Sequence, residues 1–515
     1  MKRQNPRLLL SLFPLITTIS CANFEFANSE DERDDSNDTA SYLPDGAEGL
    51  AFRLDILASQ SIDDSLLDET FFISEGEGEN MLLELSPQAV VSGIMSGFDV
   101  NPTADITLPG QVGGVSGVVR AWVPNTVMNY STRVLDDGIY ELPIVPHEKY
   151  LFSWTPSHGV ALPFYVDEGV VVSGDLERNV LLSWDESIPI YGAVSGTDDQ
   201  PLEDVRIQIY DSFTGAIGPS VDTSDIGTYN LRLYPGSYDL EISGKGDEGV
   251  PTFTQHLQVG ETDEAIDTVT NQLSEAQAIN ADGRVVTPLG VPASGVLVRF
   301  TALSVFGLGD VELTSESTTG SNGRFSIPVL QGVYQVEFIP SQDEGFSPQL
   351  IREISLEGDV TDIGTVNLVA REQISGQVLD ALGQPAEGVI LRAEEIGFNN
   401  VVYQTVTNQD GTFEIEVSDT ELFWTLIPTD STQGAITFGE GTPANWDGMI
   451  VQLKTGQPIS GCIVHEDGVA AFAPLELRNM EGRFFGGSFT DENGCFDLRI
   501  DIETQSSDSR EESLQ

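Results

Sequence analysis

The sequence predicts an all-β protein, built as a tandem array of antiparallel β-sandwich domains, and three observations support this. First, a short phrase made of a turn, a glycine, one variable residue and an aromatic occurs five times. Second, its glycines lie 83 to 96 residues apart. Third, 51 glycines and 26 prolines in 515 residues are typical of short strands joined by turns. A phrase that recurs at about the length of a small β-sandwich marks tandem domains rather than one large globule.

Each copy of the phrase predicts a tight turn followed by a strand that faces the core. Asp or Asn precedes the glycine in four copies, and such pairs favour hairpin turns because both residues tolerate positive φ. The aromatic two residues after the glycine would then occupy the buried face of the new strand. These pairs are Gly138 and Tyr140, Gly227 and Tyr229, Gly323 and Phe325, Gly411 and Phe413, and Gly494 and Phe496.

The domain boundaries follow from the repeat positions. Each repeat opens with a strand that contains a glycine, as in Gly376-Gln-Val378. The sandwiches are therefore predicted at residues 91–187, 188–274, 275–370 and 371–456, with an incomplete fifth at 457–500. The last repeat lacks a second aromatic that follows the phrase in each of the first four repeats. In those four it is Tyr150, Tyr238, Tyr334 and Trp424.

The chain ends depart from this pattern. Residues 50–90 contain two alternating segments that predict strands, and they would form either a small entry domain or extra strands on the first repeat. The fifth repeat lacks its last strands and would expose an edge. Either another chain supplies the missing strand, or the repeat is simply truncated. Residues 501–515 are polar and acidic, and we expect a disordered tail.

The N-terminus predicts export. Basic residues precede an apolar core at residues 8–19, and a small residue then precedes Cys21. This end resembles the lipobox of bacterial lipoproteins, which implies lipidation of Cys21, membrane attachment through that lipid, and a place in the bacterial cell envelope, at the outer membrane. The alternative is ordinary cleavage after Ala22 and a soluble secreted protein. Acidic residues 22–49 would form a disordered tether after the 1–21 signal peptide.

Two cysteines remain once Cys21 is assigned to the export signal. Cys462 and Cys495 both lie in the last repeat, and an even pair in an exported chain predicts a disulfide. The alternative is two buried, reduced cysteines.

The repeats resemble the carboxypeptidase regulatory-like domain. The resemblance covers residues 188–500 and, more weakly, 90–187, and it is carried by the Gly-x-Val, Gly-x-Pro, Thr-x-x-x-Gly-x-aromatic and Gly-x-Tyr motifs. It implies a seven-strand, transthyretin-like (Ig-like) sandwich, similar in outline to the B-type repeats of collagen-binding adhesins. In that family the domain accompanies a zinc peptidase domain, which this sequence lacks, or forms surface arrays. The Lys-Asn crosslink of the adhesin repeats is not expected here, because the mature lysines, Lys149, Lys245 and Lys454, lie off the first strands.

Composition argues against several functions. The chain has 82 acidic and 23 basic residues, a net charge of −59, whereas nucleic-acid binding needs clustered Lys and Arg. The four histidines are isolated, and no zinc, nucleophile-elbow or phosphate-loop motif occurs. We therefore expect no nucleic-acid partner, no catalytic residue and no resident metal or cofactor. Calcium is the one exception we consider, since it prefers carboxylate oxygens and acidic residues recur at equivalent turns. These are Asp136, Asp137, Asp225, Asp410, Asp491 and Glu492.

These observations favour a non-enzymatic exported lipoprotein on the cell surface or in the periplasm. It would be a rod-like array that acts as a structural spacer or as an adhesive, ligand-presenting stalk, with a cell-surface protein or a polysaccharide as its partner. The alternative is an array of carbohydrate-binding modules without catalysis. Sugar platforms would then come from tryptophans that otherwise pack in cores, namely Trp122, Trp154, Trp184, Trp424 and Trp446.

Overall fold

The computed structural model describes residues 50–61, 66–74, 78–98, 112–195, 200–243, 252–261, 265–270, 278–305, 311–341, 344–358, 360–396, 401–480 and 482–501. The signal peptide, Cys21, the tether and the tail from residue 502 lie outside this part. Within it the regular structure is almost entirely β-strand, with 3-10 helices at Ala58–Gln60 and Pro443–Asn445, which confirms the all-β prediction. No helix in these ranges is long and apolar enough to cross a membrane.

Three strands precede the first repeat, and domain 1 (residues 89–182) follows them. The leading strands are β1 (Leu50–Ile56), β2 (Glu69–Ser74) and β3 (Met81–Glu84). The strands of domain 1 are β4 (Ala89–Phe98), β5 (Val112–Gly114), β6 (Gly117–Trp122), β7 (Asn129–Val134), β8 (Ile139–Ile144), β9 (His147–Pro156), β10 (Tyr165–Val172), β11 (Leu176–Glu177) and β12 (Val180–Leu182).

Domains 2 (residues 188–270) and 3 (residues 278–370) come next. Domain 2 contains β13 (Ile188–Val194), β14 (Arg206–Asp211), β15 (Ile217–Asp222), β16 (Thr228–Leu233), β17 (Gly236–Ser243), β18 (Thr252–Val259) and β19 (Ile266–Thr270). Domain 3 contains β20 (Ala278–Val286), β21 (Leu297–Val305), β22 (Val311–Thr318), β23 (Arg324–Leu330), β24 (Gly332–Ile339), β25 (Phe346–Ser347), β26 (Gln349–Leu356), β27 (Val360–Asn367) and β28 (Val369–Ala370).

Domain 4 (residues 372–453) and the last repeat (residues 457–501) complete the described chain. Domain 4 contains β29 (Glu372–Leu379), β30 (Ile390–Glu395), β31 (Val402–Val406), β32 (Thr412–Val417), β33 (Leu422–Ile427), β34 (Thr437–Gly441) and β35 (Met449–Gln452). The last repeat contains β36 (Gln457–His465), β37 (Gly468–Val469), β38 (Pro474–Arg478), β39 (Phe484–Phe489) and β40 (Cys495–Ile500).

Domains 2, 3 and 4 share one plan, in which a three-stranded sheet faces a four-stranded sheet, whereas the corresponding smaller sheet of domain 1 has five strands. In domain 4, β29 pairs antiparallel with β32 and parallel with β35, while the second sheet has the order β31-β30-β33-β34. Domain 2 repeats this arrangement with β16-β13-β19 and β15-β14-β17-β18. Alternate residues of each strand point between the two sheets and form the core, as expected for a sandwich. Antiparallel pairing of β18 with β22 joins the larger sheets of domains 2 and 3 into one of eight strands.

The repeated phrase forms a tight turn, but its two flanking strands lie in different sheets. In domain 4 the turn leads from β31 in the larger sheet to β32 in the smaller one, so the predicted hairpin is wrong. Of the turn residues only the glycine has positive φ, +70° at Gly411. A β-carbon there would lie 2.4 Å from the carbonyl oxygen of Val378, so the glycine is needed where the turn packs against the first strand. The aromatics after all five glycines are buried.

A buried threonine that opens the phrase holds a second loop in place. Thr407 Oγ1 donates to the Ala386 carbonyl at 2.6 Å and accepts from the Val389 N–H at 2.9 Å. One hydroxyl therefore satisfies two buried backbone groups across the domain. Three other repeats have the same pair of bonds, through Thr223, Thr319 and Thr490, and domain 1 has Val134 at this position.

The loop held by this threonine contains one residue in the left-handed region. That residue is Gly295 in domain 3, Gly388 in domain 4 and Asp204 in domain 2. In the last repeat it is Phe472, with φ +58° and half of its surface exposed. A bulky residue in this conformation is an outlier that costs roughly 1–2 kcal/mol.

The last repeat is completed by the N-terminal strands, which differs from both expectations for residues 50–90. β1 pairs antiparallel with β38 and with β2, and β3 pairs parallel with β36. These strands occupy the places that β33, β34 and β35 take in domain 4. Domain 5 therefore consists of residues 50–85 and 457–501, and it is a complete sandwich rather than a truncated one. The physical reason is that the apolar face of β1 packs against the apolar residues of the last repeat and completes their core.

Candidate functional site: the seam of domain 5

The seam between β1 and β38 brings opposite ends of the described chain together. Leu54 lies directly opposite Leu477, and both side chains are 0% exposed. Phe52 packs edge-on against Phe485, with ring centroids 6.1 Å apart. Phe52 takes the position of Tyr334 in domain 3, so the second aromatic that the last repeat lacks comes from the N-terminal segment. Fully burying one such side chain contributes about 1.5–3 kcal/mol.

A buried ion-pair network crosses the same seam. Asp55 is 0% exposed and accepts hydrogen bonds from Thr70 Oγ1 at 2.8 Å and from Arg53 Nη2 at 2.8 Å. Arg478 Nε of the last repeat lies 3.4 Å from the same carboxylate. Burial raises the pKa of Asp55, and the positive charge of Arg53 opposes that rise. A one-residue slip of β1 would leave this carboxylate buried without its partners, so the network favours the observed register.

Arginines and aromatics surround this network where domain 5 meets domain 4. The guanidinium groups of Arg392 and Arg478 lie 4.8 Å and 5.6 Å from the centroid of the Phe484 ring. Burial, assisted by the charge of Arg478, lowers the pKa of Arg392 to about 10. Arg478 also pairs with Glu476 at 2.6 Å, and Arg483 pairs with Glu440 of domain 4 at 2.9 Å. Arg392 pairs in turn with Glu394. Because each of these arginines has a carboxylate partner, the cluster stabilises the junction and does not present a cationic site for an anion.

The N-terminal segment also contacts domain 1. Tyr130 of β7 donates to the Asp68 carbonyl at 2.6 Å, and the Val127 N–H donates to Thr70 Oγ1 at 3.2 Å. Burial raises the pKa of Tyr130. Glu69 accepts from the backbone N–H of Ser86 at 2.9 Å, and burial raises its pKa as well. The segment is thus held by the last repeat on one side and by domain 1 on the other.

A disulfide joins Cys462 and Cys495 inside domain 5. The two residues are cross-strand partners on β36 and β40, and both come from the last repeat. The third cysteine of the chain is Cys21, so domains 1 to 4 contain none. Among the domains that the structure describes, the one assembled from both ends is therefore the one with a disulfide.

Two histidines that look isolated in the sequence are each bonded to a serine and an aspartate. His256 Nε2 lies 3.1 Å from Ser237 Oγ, and its Nδ1 lies 2.9 Å from Asp239. Ser237 and Asp239 alternate along β17, and His256 is opposite Asp239 on β18. The order matches a nucleophilic triad. Ser237 is only 7% exposed, however, so its hydroxyl is poorly placed to meet a substrate, and the cluster acts as a cross-strand contact.

The second histidine lies at the junction of domains 1 and 2. His158 Nδ1 is 2.8 Å from Ser220 Oγ, and its Nε2 is 3.2 Å from Asp222. Arg206 Nε pairs with the same aspartate at 3.1 Å. Asp222 has a lowered pKa, because the Arg206 hydrogen bond and the His158 charge outweigh its partial burial. These groups join the two domains, and the Asp222 carboxylate is bound by both His158 and Arg206.

Other predicted ligand groups are placed without forming a site. Within the described ranges no cluster of three or more His, Cys, Asp or Glu side chains is arranged to hold a metal ion. All five tryptophans lie in described residues and none is exposed: Trp154 and Trp446 are buried, and Trp184 stacks on Arg232 at 3.9 Å. They serve packing, so the sugar platforms expected of a carbohydrate-binding array are not formed by these residues.

Comparison with known proteins gives only weak likenesses. No family model matches the sequence, and no curated protein matches it. Among solved structures, a streptococcal ancillary pilin is similar at 14% identity and a TM-score of 0.20, over 55% of this chain and 99% of that one. The TIE protein of Bacillus anthracis shows 11% identity and a TM-score of 0.17, over 72% and 74%. BcpA, the major pilin subunit of Bacillus cereus, shows 8% and 0.15, over 52% and 100%. At TM-scores this low, none of these similarities supports a conclusion about this chain.

Proposed function

We propose that this chain is an exported, lipid-anchored structural protein of the bacterial cell envelope. Its sandwich array presents a surface to a protein or polysaccharide partner and carries out no catalysis. The seam is the observation that supports this proposal. Its buried arginines, carboxylates and aromatics join the N-terminal segment to the last repeat and do not line a cleft. A disulfide in the same domain suits an oxidising compartment outside the cytosol. The sequence adds the lipobox-like end at Cys21.

The seam changes the role expected of the last repeat. If Cys21 is lipidated, the tether ends at residue 50, which begins β1 in domain 5. The last repeat then belongs to the domain next to the tether and is not the outermost unit along the chain. Load applied through the anchor enters the β1–β38 and β1–β2 pairings, whose backbone hydrogen bonds and buried leucines resist it together. Domains 1 to 4 are left to meet partners.

The anchor is tested by intact mass of the mature protein from a bacterial host, measured beside a Cys21→Ala variant. We expect a diacyl or triacyl mass that vanishes in the variant, together with loss of the protein from the membrane fraction. An unmodified chain that starts near Asn23 would contradict the anchor and favour a soluble secreted array.

Presentation at the surface is tested separately, by treating intact cells with a protease. The wild-type protein should be cleaved if it faces the outside, whereas a protected protein that becomes cleavable after outer-membrane permeabilisation would place it in the periplasm. A glycan array with the purified protein tests polysaccharide binding. Because the tryptophans are packed, a positive result there would require a different surface.

A further inference from the structure

We propose that domain 5 also closes between molecules, with β1–β3 of one copy completing the last repeat of another copy. The partner is thus a second molecule of this chain, joined head to tail through the same seam. Without those three strands the last repeat keeps only part of each sheet, β36, β37 and β40 in one and β38 and β39 in the other. Half of a sandwich leaves an open core and unpaired strand edges, which another copy's identical segment fits.

The two halves of domain 5, the N-terminal segment and the last repeat, each contact a neighbouring domain. The N-terminal segment contacts domain 1, through Tyr130 and the Asp68 carbonyl. The last repeat contacts domain 4, where Ser431 donates to Asp497 at 2.5 Å and the Ile436 N–H donates to the Arg499 carbonyl at 2.7 Å. Each half therefore keeps these neighbours whether its partner half belongs to the same molecule or to another. The seam contacts themselves are identical in both cases.

The connections in the chain favour the same conclusion. Only residues 85–88 separate β3 from domain 1, so the N-terminal segment stays with domain 1. Residues 453–456 likewise keep the last repeat beside domain 4. Closure within one molecule requires domains 1 to 4 to bring these two ends together, whereas closure between molecules has no such requirement. A contact of this head-to-tail kind forms rings where it closes and open chains where it does not.

The disulfide stabilises the half that receives the strands. Cys462 and Cys495 join β36 to β40, and both strands belong to the last repeat. The crosslink therefore holds these two strands in register while the donor strands are absent. On the chain-entropy model a crosslink at this sequence separation contributes about 3–4 kcal/mol. Domains 1 to 4, whose strands are continuous in the sequence, have no cysteine.

The test is trans-complementation between two full-length mature chains, each carrying Cys21→Ala so that lipid cannot drive association. Leu54→Asp destroys the donor strand, and Leu477→Asp destroys the acceptor, since both side chains are fully buried at the seam. The variants are refolded separately and as an equimolar mixture, then analysed by light scattering after size exclusion. A double variant carries both changes. Tryptophan fluorescence shows that domains 1, 2 and 4 are folded, because Trp122 and Trp154 lie in domain 1, Trp424 and Trp446 lie in domain 4, and Trp184 stacks on Arg232 of domain 2.

We expect each single variant to be a monomer and the mixture to form a 1:1 complex of twice the monomer mass. The donor of the Leu477→Asp chain completes the acceptor of the Leu54→Asp chain. The double variant mixed with either single variant should stay monomeric, because no intact donor and acceptor are present together. A mixture that remains at monomer mass with native fluorescence would overturn the proposal, and so would association of a single variant with itself. None of these outcomes depends on the lipid anchor, so the two proposals fail independently.

Discussion

Replacing Leu54 by alanine should destabilise domain 5 strongly, although Leu54 and the last repeat lie at opposite ends of the chain. Leu54 is fully buried against Leu477, and Leu→Ala changes at such sites cost about 2–5 kcal/mol because a cavity remains. In a domain of this size 1 kcal/mol lowers the Tm by roughly 4–8 °C. A mid-range loss of about 3 kcal/mol therefore lowers the transition of domain 5 by roughly 12–24 °C.

The matched control is Leu82→Ala in the same N-terminal segment. Leu82 is 71% exposed, so this substitution should change stability by no more than about 0.5 kcal/mol. Differential scanning calorimetry measures the shifted transition. Domain 5 contains no tryptophan, so fluorescence reports whether domains 1, 2 and 4 keep their own transitions. Equal shifts for the two variants would refute the burial of β1 in the core of the last repeat.

Three further predictions concern single side chains. Thr407→Val removes a hydroxyl that satisfies the Ala386 carbonyl and the Val389 N–H. It should lower the stability of domain 4 by about 1–3 kcal/mol, measured by urea denaturation followed by the fluorescence of Trp424 and Trp446. An unchanged midpoint would contradict the role of the hydroxyl. Phe472→Gly should raise the stability of domain 5 by about 1 kcal/mol, because it relieves left-handed strain, and a lower calorimetric Tm would show that the ring packs usefully. Asp55 has a folded-state pKa above its ordinary value of 3.8, so the folded state binds the proton more tightly than the unfolded state does. The ionised carboxylate therefore destabilises the folded state, and this destabilisation is largest above the raised pKa. The free energy of unfolding of the wild type minus that of Asp55→Asn, from urea titrations, should therefore increase as pH falls from neutral towards 4, and a decrease would reverse the assigned sign.

Local signals in the sequence predicted the repeated units well. The glycine and the aromatic two residues later identify a tight turn and a buried strand, since the turn needs a left-handed residue and strands alternate their faces. The same signal could not show that β31 and β32 lie in different sheets. That choice depends on which faces are buried against other strands, and a turn motif carries no information about it.

The closure of domain 5 was missed because it depends on pairing between the two ends of the chain. Phe52 held the available clue: the last repeat lacks its second aromatic, and the N-terminal segment has an unassigned strand with one. The bonds of His256 to Ser237 and Asp239 were likewise hidden, since register places β17 beside β18 and spacing in the sequence does not reveal it. Whether Cys21 carries a lipid stays a prediction.

Hydrogen exchange of the β1 peptide, residues 50–57, shows whether β1 pairs with the last repeat in the folded protein. It is measured by mass spectrometry in the wild type and in the Leu477→Asp variant under dilute conditions that keep the protein monomeric. We expect the amides of β1 to be protected in the wild type and to lose that protection in the variant, although the substitution lies in the last repeat. Unchanged protection of β1 would contradict the pairing of β1 with β38, because the strand would then be held by something other than the last repeat.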